Sequence, residues 1–241
     1  MMNISPQPIS IAKYKVIIFD LDDTLFDTWG KCTQQASREA CAAMMEAGLQ
    51  CTLEECVSER EASYLLNPRK DPYAHLVQKF GVRPNGKSGE EVMEIGRHAF
   101  QSRKVESDIA PFSGVQQTLA ELKFNHLLFL VTAGTPETQQ QKVTLLKIKD
   151  FFNHIFYVDT FKKQRKTSAF LKIAQQTNVL PHEVLCVGDR IDREISEGKI
   201  LGFATALLER EHNRHFHPRN PAENPDYHLQ KISDLTQTLK L

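Results

Sequence analysis

Short runs of consecutive apolar residues, each closed by a small, hydroxyl or acidic residue, recur along this chain. They are Val16-Ile17-Ile18-Phe19 before Asp20, Leu127 to Val131 before Thr132, Ile155 to Val158, Val184 to Val187 before Gly188-Asp189, and Phe203 to Leu208. Runs of four to six residues rich in β-branching, with no polar alternation, predict strands buried on both faces, as in a parallel sheet. Between the first and second runs the pattern changes. From Lys31 to about Ser107, Ala, Glu, Gln, Arg and Met recur with helical spacing, broken at Gly48, Asn67-Pro68, Asp71-Pro72 and between Gly81 and Gly89. Ala36, Ala40, Ala43, Met44 and Ala47 give the first of these helices an apolar stripe for core packing. Further helices are expected up to Leu122, after Thr135-Pro136, up to Thr177, and as an amphipathic segment running to Leu241, with residues 1 to about 12 a loose arm. Strands alternating with helices predict an α/β fold with an all-helical insertion after the first strand.

Composition narrows the class. A chain of 241 residues, 41% apolar, can bury a substantial core and fits one large or two small domains. A formal net charge of zero and a pI near 7.1 argue against a general nucleic-acid or membrane-surface binder. No apolar run approaches the roughly 18 residues of a membrane span, and Met1 to Lys15 is polar and proline-punctuated. A cytoplasmic protein is expected. The five cysteines lack any Cys-x-x-Cys pair or secretory context, so reduced thiols are expected rather than a disulfide framework or zinc site. There is no internal repeat or low-complexity segment.

Candidate chemistry sits where the apolar runs end. Asp20, Asp22 and Asp23 follow the first run at once, and like charges so placed repel. Either the side chains all face water, or a hard divalent cation such as Mg²⁺ offsets the cost, and the clustering favours the cation. Were the strand to continue, Asp20 and Asp22 would project to one face, one carboxylate able to attack an electrophile and the other to handle a proton. Thr132 ends the second run, and Ala133-Gly134-Thr135-Pro136 reads as a turn, a Thr N-cap and Pro at the first helical position, a place where backbone amides receive anions. Lys162, Lys163, Arg165 and Lys166 crowd a helix start, where cations are unfavourable unless an anion binds. Gly188-Asp189, with Asp192 and Glu194 close behind, ends the fourth run; Cys186 within it reads as packing. His212, His215 and His217 could bind a transition metal, but the charged, proline-rich sequence from Glu209 to Pro225 favours a solvated surface loop.

Phe-Asp-Leu-Asp-Asp-Thr-Leu over residues 19–25 resembles the first signature motif of the haloacid dehalogenase superfamily. The other motifs follow in order: Thr132 resembles the second, Lys166 (with Lys163 as the alternative) the third, and Gly188-Asp189 with Glu194 (or Asp192) the fourth. Pro225-Asp226-Tyr227-His228-Leu229 resembles the family's usual ending. The resemblance implies a Rossmann-like three-layer core with a mainly parallel sheet over residues 13–28 and 109–241, and a helical cap over 29–108. It implies Asp20 as the nucleophile and Asp22 as the general acid and base. Mg²⁺ would be held by the Asp20 carboxylate, the Asp22 carbonyl, Asp189, and Glu194 or Asp192. Thr132 and the Ala133 amide would bind phosphate, Lys166 would offset charge, and Thr24 would orient the loop. Members that cleave carbon–halogen bonds lack the second aspartate, so Asp22 favours phosphoryl chemistry. The implied activity is a Mg²⁺-dependent phosphatase acting on a small phosphorylated metabolite; the motif variant and cap size are similar to those of nucleotidases and sugar-phosphate phosphatases. The alternatives are a phosphomutase, a phosphonate hydrolase, which would need a cap lysine that Lys31, Lys70, Lys79, Lys87 and Lys104 do not obviously supply, or a binding module without turnover. Specificity is expected from the cap, where Arg60, Arg69, Arg83, Arg97 and Arg103 could each meet an anion but read better as solvated helix charges.

Overall fold

A computed structural model describes residues 9–67, 69–105 and 108–236. The chain forms two compact units, one from Met1–Asp27 with Glu106–Leu241 and one from Thr28–Val105.

The first unit is built on a six-stranded, wholly parallel sheet of β1 (Val16–Phe19), β2 (Leu127–Gly134), β3 (His154–Asp159), β4 (Val184–Gly188), β5 (Ala204–Leu208) and β6 (Tyr227–Leu229), in the order β3-β2-β1-β4-β5-β6. All four residues of β1 are buried, because the strand lies between two neighbours. Val16 faces Leu127 on one side and Val184 on the other, and Phe19 faces Leu130 and Val187. Alternation along the strands sends Val16, Ile18, Phe129, Val131, Val184 and Cys186 to a core shared with Phe170 and Ile173. The intervening Ile17, Phe19, Leu128, Leu130, Leu185 and Val187 are buried as well. Both faces are thus covered, and unbroken apolar runs are the result. Strand order reverses direction between β1 and β4, and in open parallel sheets the crevice at the carboxyl ends of such a pair receives ligands.

The second unit is helical, with α1 (Gln34–Ala47), α2 (Leu53–Leu66), α3 (Pro72–Phe80) and α4 (Gly89–Gln101) packed around Ala40, Cys41, Met44, Tyr73, Leu76 and Val92. Local chemistry sets their starts. Thr52 with Glu55 and Ser88 with Glu91 form reciprocal capping boxes, and the Asp71 carboxylate caps α3 with Pro72 at its first position. The sheet unit adds α5 (Val115–Lys123), α6 (Pro136–Leu145), α7 (Lys166–Thr177) and the short α8 (Ser196–Ile200).

Four expectations need correction. Ile9 and Ile11 are buried, so residues 9–12 are not a loose arm; residues 1–8 lie outside the described residues. After β6 a 3₁₀ turn at Ile232–Leu235 stands where an amphipathic helix was expected, and residues 237–241 lie outside the described residues. Thr135 occupies the N-cap position of α6, but its hydroxyl makes no capping bond. The segment from Glu209 to Pro225 is not uniformly solvated: Asn213 and Glu223 are buried, and Phe216 packs on Ile191 and Ile195. No disulfide joins the five cysteines, and no helix among the described residues is long and apolar enough to cross a membrane.

Candidate active site

The site gathers at the carboxyl ends of β1, β2 and β4. The Asp20 amide donates to the Val187 carbonyl at 3.0 Å, which carries the β1–β4 ladder one residue past the strand and fixes Asp20 beside the end of β4. Asp189 follows β4 directly, and Glu194 comes from the wide, π-helical turn at Ile191–Ile195 that precedes α8. A Cβ at Gly188 would lie 2.8 Å from Cβ and Cγ of Glu194, so the absence of a side chain there lets Glu194 fold back onto the strand end. Asp20, Asp189 and Glu194 are all buried, and each presents a carboxylate oxygen within 4.8 Å of the others.

Lys166, at the first position of α7, reaches into this group. Its Nζ donates to Asp20 Oδ1 at 2.5 Å and to Glu194 Oε1. Of the alternatives raised by the sequence, Lys163 is exposed in the turn after β3, and Asp192 is engaged by Arg190 at 2.9 and 3.0 Å. Glu194 and Lys166, not Asp192 and Lys163, therefore stand with Asp20 and Asp189.

The electrostatics follow from burial. Burial pushes the Asp20 carboxyl up to about 7, with Glu194 and Asp22 adding to the rise and Lys166 opposing it. Asp189 is pushed well above the usual carboxylate range, again by burial first and then by Glu194, Asp20 and Asp23. Burial works against the Lys166 charge, but Asp20 and Glu194 outweigh it and raise the ammonium above its ordinary value. Burial also raises the Cys186 thiol, which suits the packing role expected of it. Three buried carboxylates face one ammonium, and Glu194 Oε2 is buried with no hydrogen-bond partner. An all-oxygen donor set with surplus negative charge and an unsatisfied lone pair fits a hard divalent cation.

Asp22 is held differently. Its Oδ1 accepts from Lys142 Nζ at 2.6 Å and its Oδ2 from Gln139 Nε2 at 2.8 Å, both from α6, and the same Gln139 amide donates to the Ala133 carbonyl at 2.8 Å. Gly134, at φ +155°, permits this approach, since a Cβ there would lie 2.8 Å from Gln139 Nε2. Thr132 is fully buried, and its hydroxyl has no partner. Thr24 is likewise buried with its hydroxyl unpartnered.

Sequence reading missed several contributors. Lys142 and Gln139 lie on a helix whose composition signals nothing beyond polarity, and only the fold brings them to Asp22. Asn213 Nδ2 donates to Asp189 Oδ2 at 2.6 Å. Arg210 Nε donates to the Asp23 carbonyl at 2.5 Å, and its Nη2 to that of Thr24 at 3.4 Å. His212 Nε2 lies 3.4 Å from Asp23 Oδ2, so the histidine nearest Asp23 belongs to the site rather than to a solvated loop. A second group of potential ligands, Asp23, Asp189 and His212, overlaps the first. Asp23 itself takes a left-handed backbone, φ +56°, which turns the chain after β1.

Comparison with known proteins bears on this geometry. The profile of a family described as haloacid dehalogenase-like hydrolase matches residues 17–208. The glyceraldehyde 3-phosphate phosphatase of Methanopyrus kandleri is 27% identical over 234 residues, covering 94% of this chain and 97% of that one. The enzyme of the same name from Pyrococcus abyssi is 31% identical over 198 residues, 79% of each chain. Among solved structures, the HAD-hydrolase YfnB of Bacillus subtilis superposes with a TM-score of 0.61 at 18% identity, over 95% of this chain and 99% of that chain.

Proposed function

The chain belongs to the family of haloacid dehalogenase-like hydrolases, and from that premise we propose that it is a magnesium-dependent phosphatase hydrolysing a phosphomonoester of a small metabolite. The observation that carries the reading is the cluster at the β1–β4 switch point, where Asp20 lies buried among Asp189, Glu194 and Lys166. On this reading the sheet unit is the catalytic core and the helical unit its cap. The archaeal relatives named as glyceraldehyde 3-phosphate phosphatases make that triose phosphate the first substrate to test.

Asp20 is the nucleophile. Its carboxylate oxygen forms a bond to phosphorus as the bond to the ester oxygen breaks, leaving an aspartyl-phosphate. Asp22 gives the departing oxygen its proton, then takes one from the water that attacks phosphorus, and the Asp20 carboxylate is restored as phosphate leaves. Lys142 and Gln139 hold the Asp22 carboxylate by both oxygens, so its position is fixed from α6 rather than by the loop alone. The Thr132 hydroxyl, which lacks a protein partner, and the Ala133 amide would bind the phosphoryl oxygens, and Lys166 offsets their charge. Mg²⁺, held by Asp20, Asp189, Glu194 and the Asp22 carbonyl, would supply the remaining positive charge at the transferring group.

The test is phosphate release from a generic aryl phosphate and from glyceraldehyde 3-phosphate in the presence of magnesium, for the natural protein and for Asp20→Asn. Release by the first and background rates for the second are expected; equal rates in the two proteins refute the nucleophile.

A further inference from the structure

Among the described residues of the helical unit, one buried charge has no counter-charge. Arg60, on α2, is 6% exposed. Its Nη1 donates to Ser37 Oγ at 2.6 Å and its Nη2 to the Tyr73 hydroxyl at 3.4 Å, while Nε is buried with no acceptor. The guanidinium carbon lies 4.4 Å from the Phe100 ring centroid and 5.4 Å from that of Tyr73. These contacts support the side chain but do not neutralise it, and among the described residues no carboxylate pairs with it. Three other arginines of the same unit are paired with acids: Arg38 with Glu54, Arg97 with Asp71 and Arg103 with Glu39, while Arg83 donates to the Met45 carbonyl. Burying a guanidinium that no carboxylate among the described residues pairs is the reverse of what stability alone favours. It also corrects the expectation that Arg60 is a solvated helix charge.

Arg60 helps to line a cavity of about 690 Å³, together with Trp29, Thr33, Ser37, Leu53 and Val57. That volume lies within the range of small-molecule sites. The walls combine apolar side chains with hydroxyls and the amides of Gln34 and Gln35; the second cation there, Arg38, is exposed and paired with Glu54, Glu39 is paired with Arg103, and Glu61 is exposed. A buried guanidinium whose Nη groups each keep an N–H beyond those given to Ser37 and Tyr73 is matched by an anion of single charge; a phosphate, at about −1.5 to −2 near neutrality, exceeds it. We propose that the helical unit binds a small organic carboxylate in this cavity, with its carboxylate paired to Arg60. The proposal goes beyond the hydrolytic reading and does not depend on it.

Trp29 is the chain's single tryptophan, lines the same cavity and stacks on Tyr64 with ring centroids 5.2 Å apart, so its emission reports on the cavity. The full-length protein is titrated with acetate, glycerate and benzoate, with chloride at matched ionic strength and inorganic phosphate in parallel. A saturable change with at least one carboxylate and none with chloride is expected, with half-saturation raised at least tenfold in Arg60→Gln and less in Arg60→Lys. Should Arg60→Gln fail to fold, Ala42→Leu narrows the cavity while leaving Arg60 in place and is expected to weaken binding likewise. Asp20→Asn is expected to respond as the natural protein does, so that loss of the hydrolytic reading leaves this one standing, and the reverse. No saturable signal with any carboxylate, half-saturation unchanged in the cavity variants, or a stronger response to phosphate than to every carboxylate overturns the proposal.

Discussion

Replacing Asp189 by asparagine is expected to stabilise the metal-free protein while removing its response to magnesium. Asp20, Asp189 and Glu194 place carboxylate oxygens within 4.8 Å of one another. Two unit charges at that separation repel by about 3.5 kcal/mol at an effective dielectric of about 20. Lys166, Arg190 and the protons that the raised carboxyls retain relieve part of this, so a net gain of about 1–3 kcal/mol is expected for Asp189→Asn at about pH 7.5. The sign follows from protonation. A carboxyl whose pKa is raised by folding holds its proton more tightly in the folded state, so stability is full below the unfolded value and declines as pH climbs to the folded one. For Asp20 the window runs from 3.8 to about 7, a decline of about 4 kcal/mol at 1.36 kcal/mol per pKa unit, and Asp189 acts in the same sense. Lys166 is raised from an ordinary value of 10.5 and so leaves this window flat. Urea denaturation near pH 5 and near pH 7.5, with EDTA or excess magnesium chloride, measures all of it. In EDTA the natural protein is expected to lose stability between the two pH values and to regain it with magnesium. Asp189→Asn should show a smaller loss and no regain. Equal stabilisation of both proteins by magnesium, or a rise in stability in EDTA toward pH 7.5, refutes the reasoning.

Three further outcomes are expected. Lys142→Met should lower kcat by about 10- to 100-fold with little change in KM, within the range of general acid–base effects, and should shift the pH limb set by Asp22 upward, since loss of a neighbouring cation favours the neutral acid; an unchanged pH profile would deny Lys142 a positioning role. Thr132→Val is expected to leave stability within about 1 kcal/mol, because the buried hydroxyl has no partner to lose, yet to weaken inhibition by inorganic phosphate; calorimetry and product-inhibition assays check the two halves. Gly188→Ala should displace Glu194 and weaken magnesium binding about tenfold, or about 1.4 kcal/mol, with circular dichroism unchanged; unaltered affinity would show that Glu194 does not need the space.

What could be read from the chain alone was set by how local each signal is. β1, β2 and β4 stand out because strands buried on both faces need no polar alternation, and Asp20 and Asp189 stand out because each puts an acid at the end of such a run. Glu194 could not be separated from Asp192 by spacing; the π-helical turn at Ile191–Ile195 decides it by sending one carboxylate to Lys166 beside Asp20 and the other to Arg190. Lys142 and Asn213 reach their partners across more than a strand of the fold, and nothing in α6 or in the proline-rich segment after β5 marks them. Arg60 is the clearest case. A charged residue on a helix reads as solvated until α1, α3 and α4 close around it, and burial of that kind has no one-dimensional signature.

The insertion of the helical unit between β1 and β2 has a consequence for synthesis. The innermost strand of the sheet leaves the ribosome first and waits for both of its neighbours until the helical unit and then β4 have been made. At synthesis rates of about 5–20 residues per second that wait is on the order of ten seconds. During it Val16–Phe19 is an unpaired apolar segment, while the residues of the core that α1 to α4 share lie within one contiguous stretch. The helical unit is therefore the part of the nascent chain able to condense early, and the first strand the part most in need of shielding from other chains.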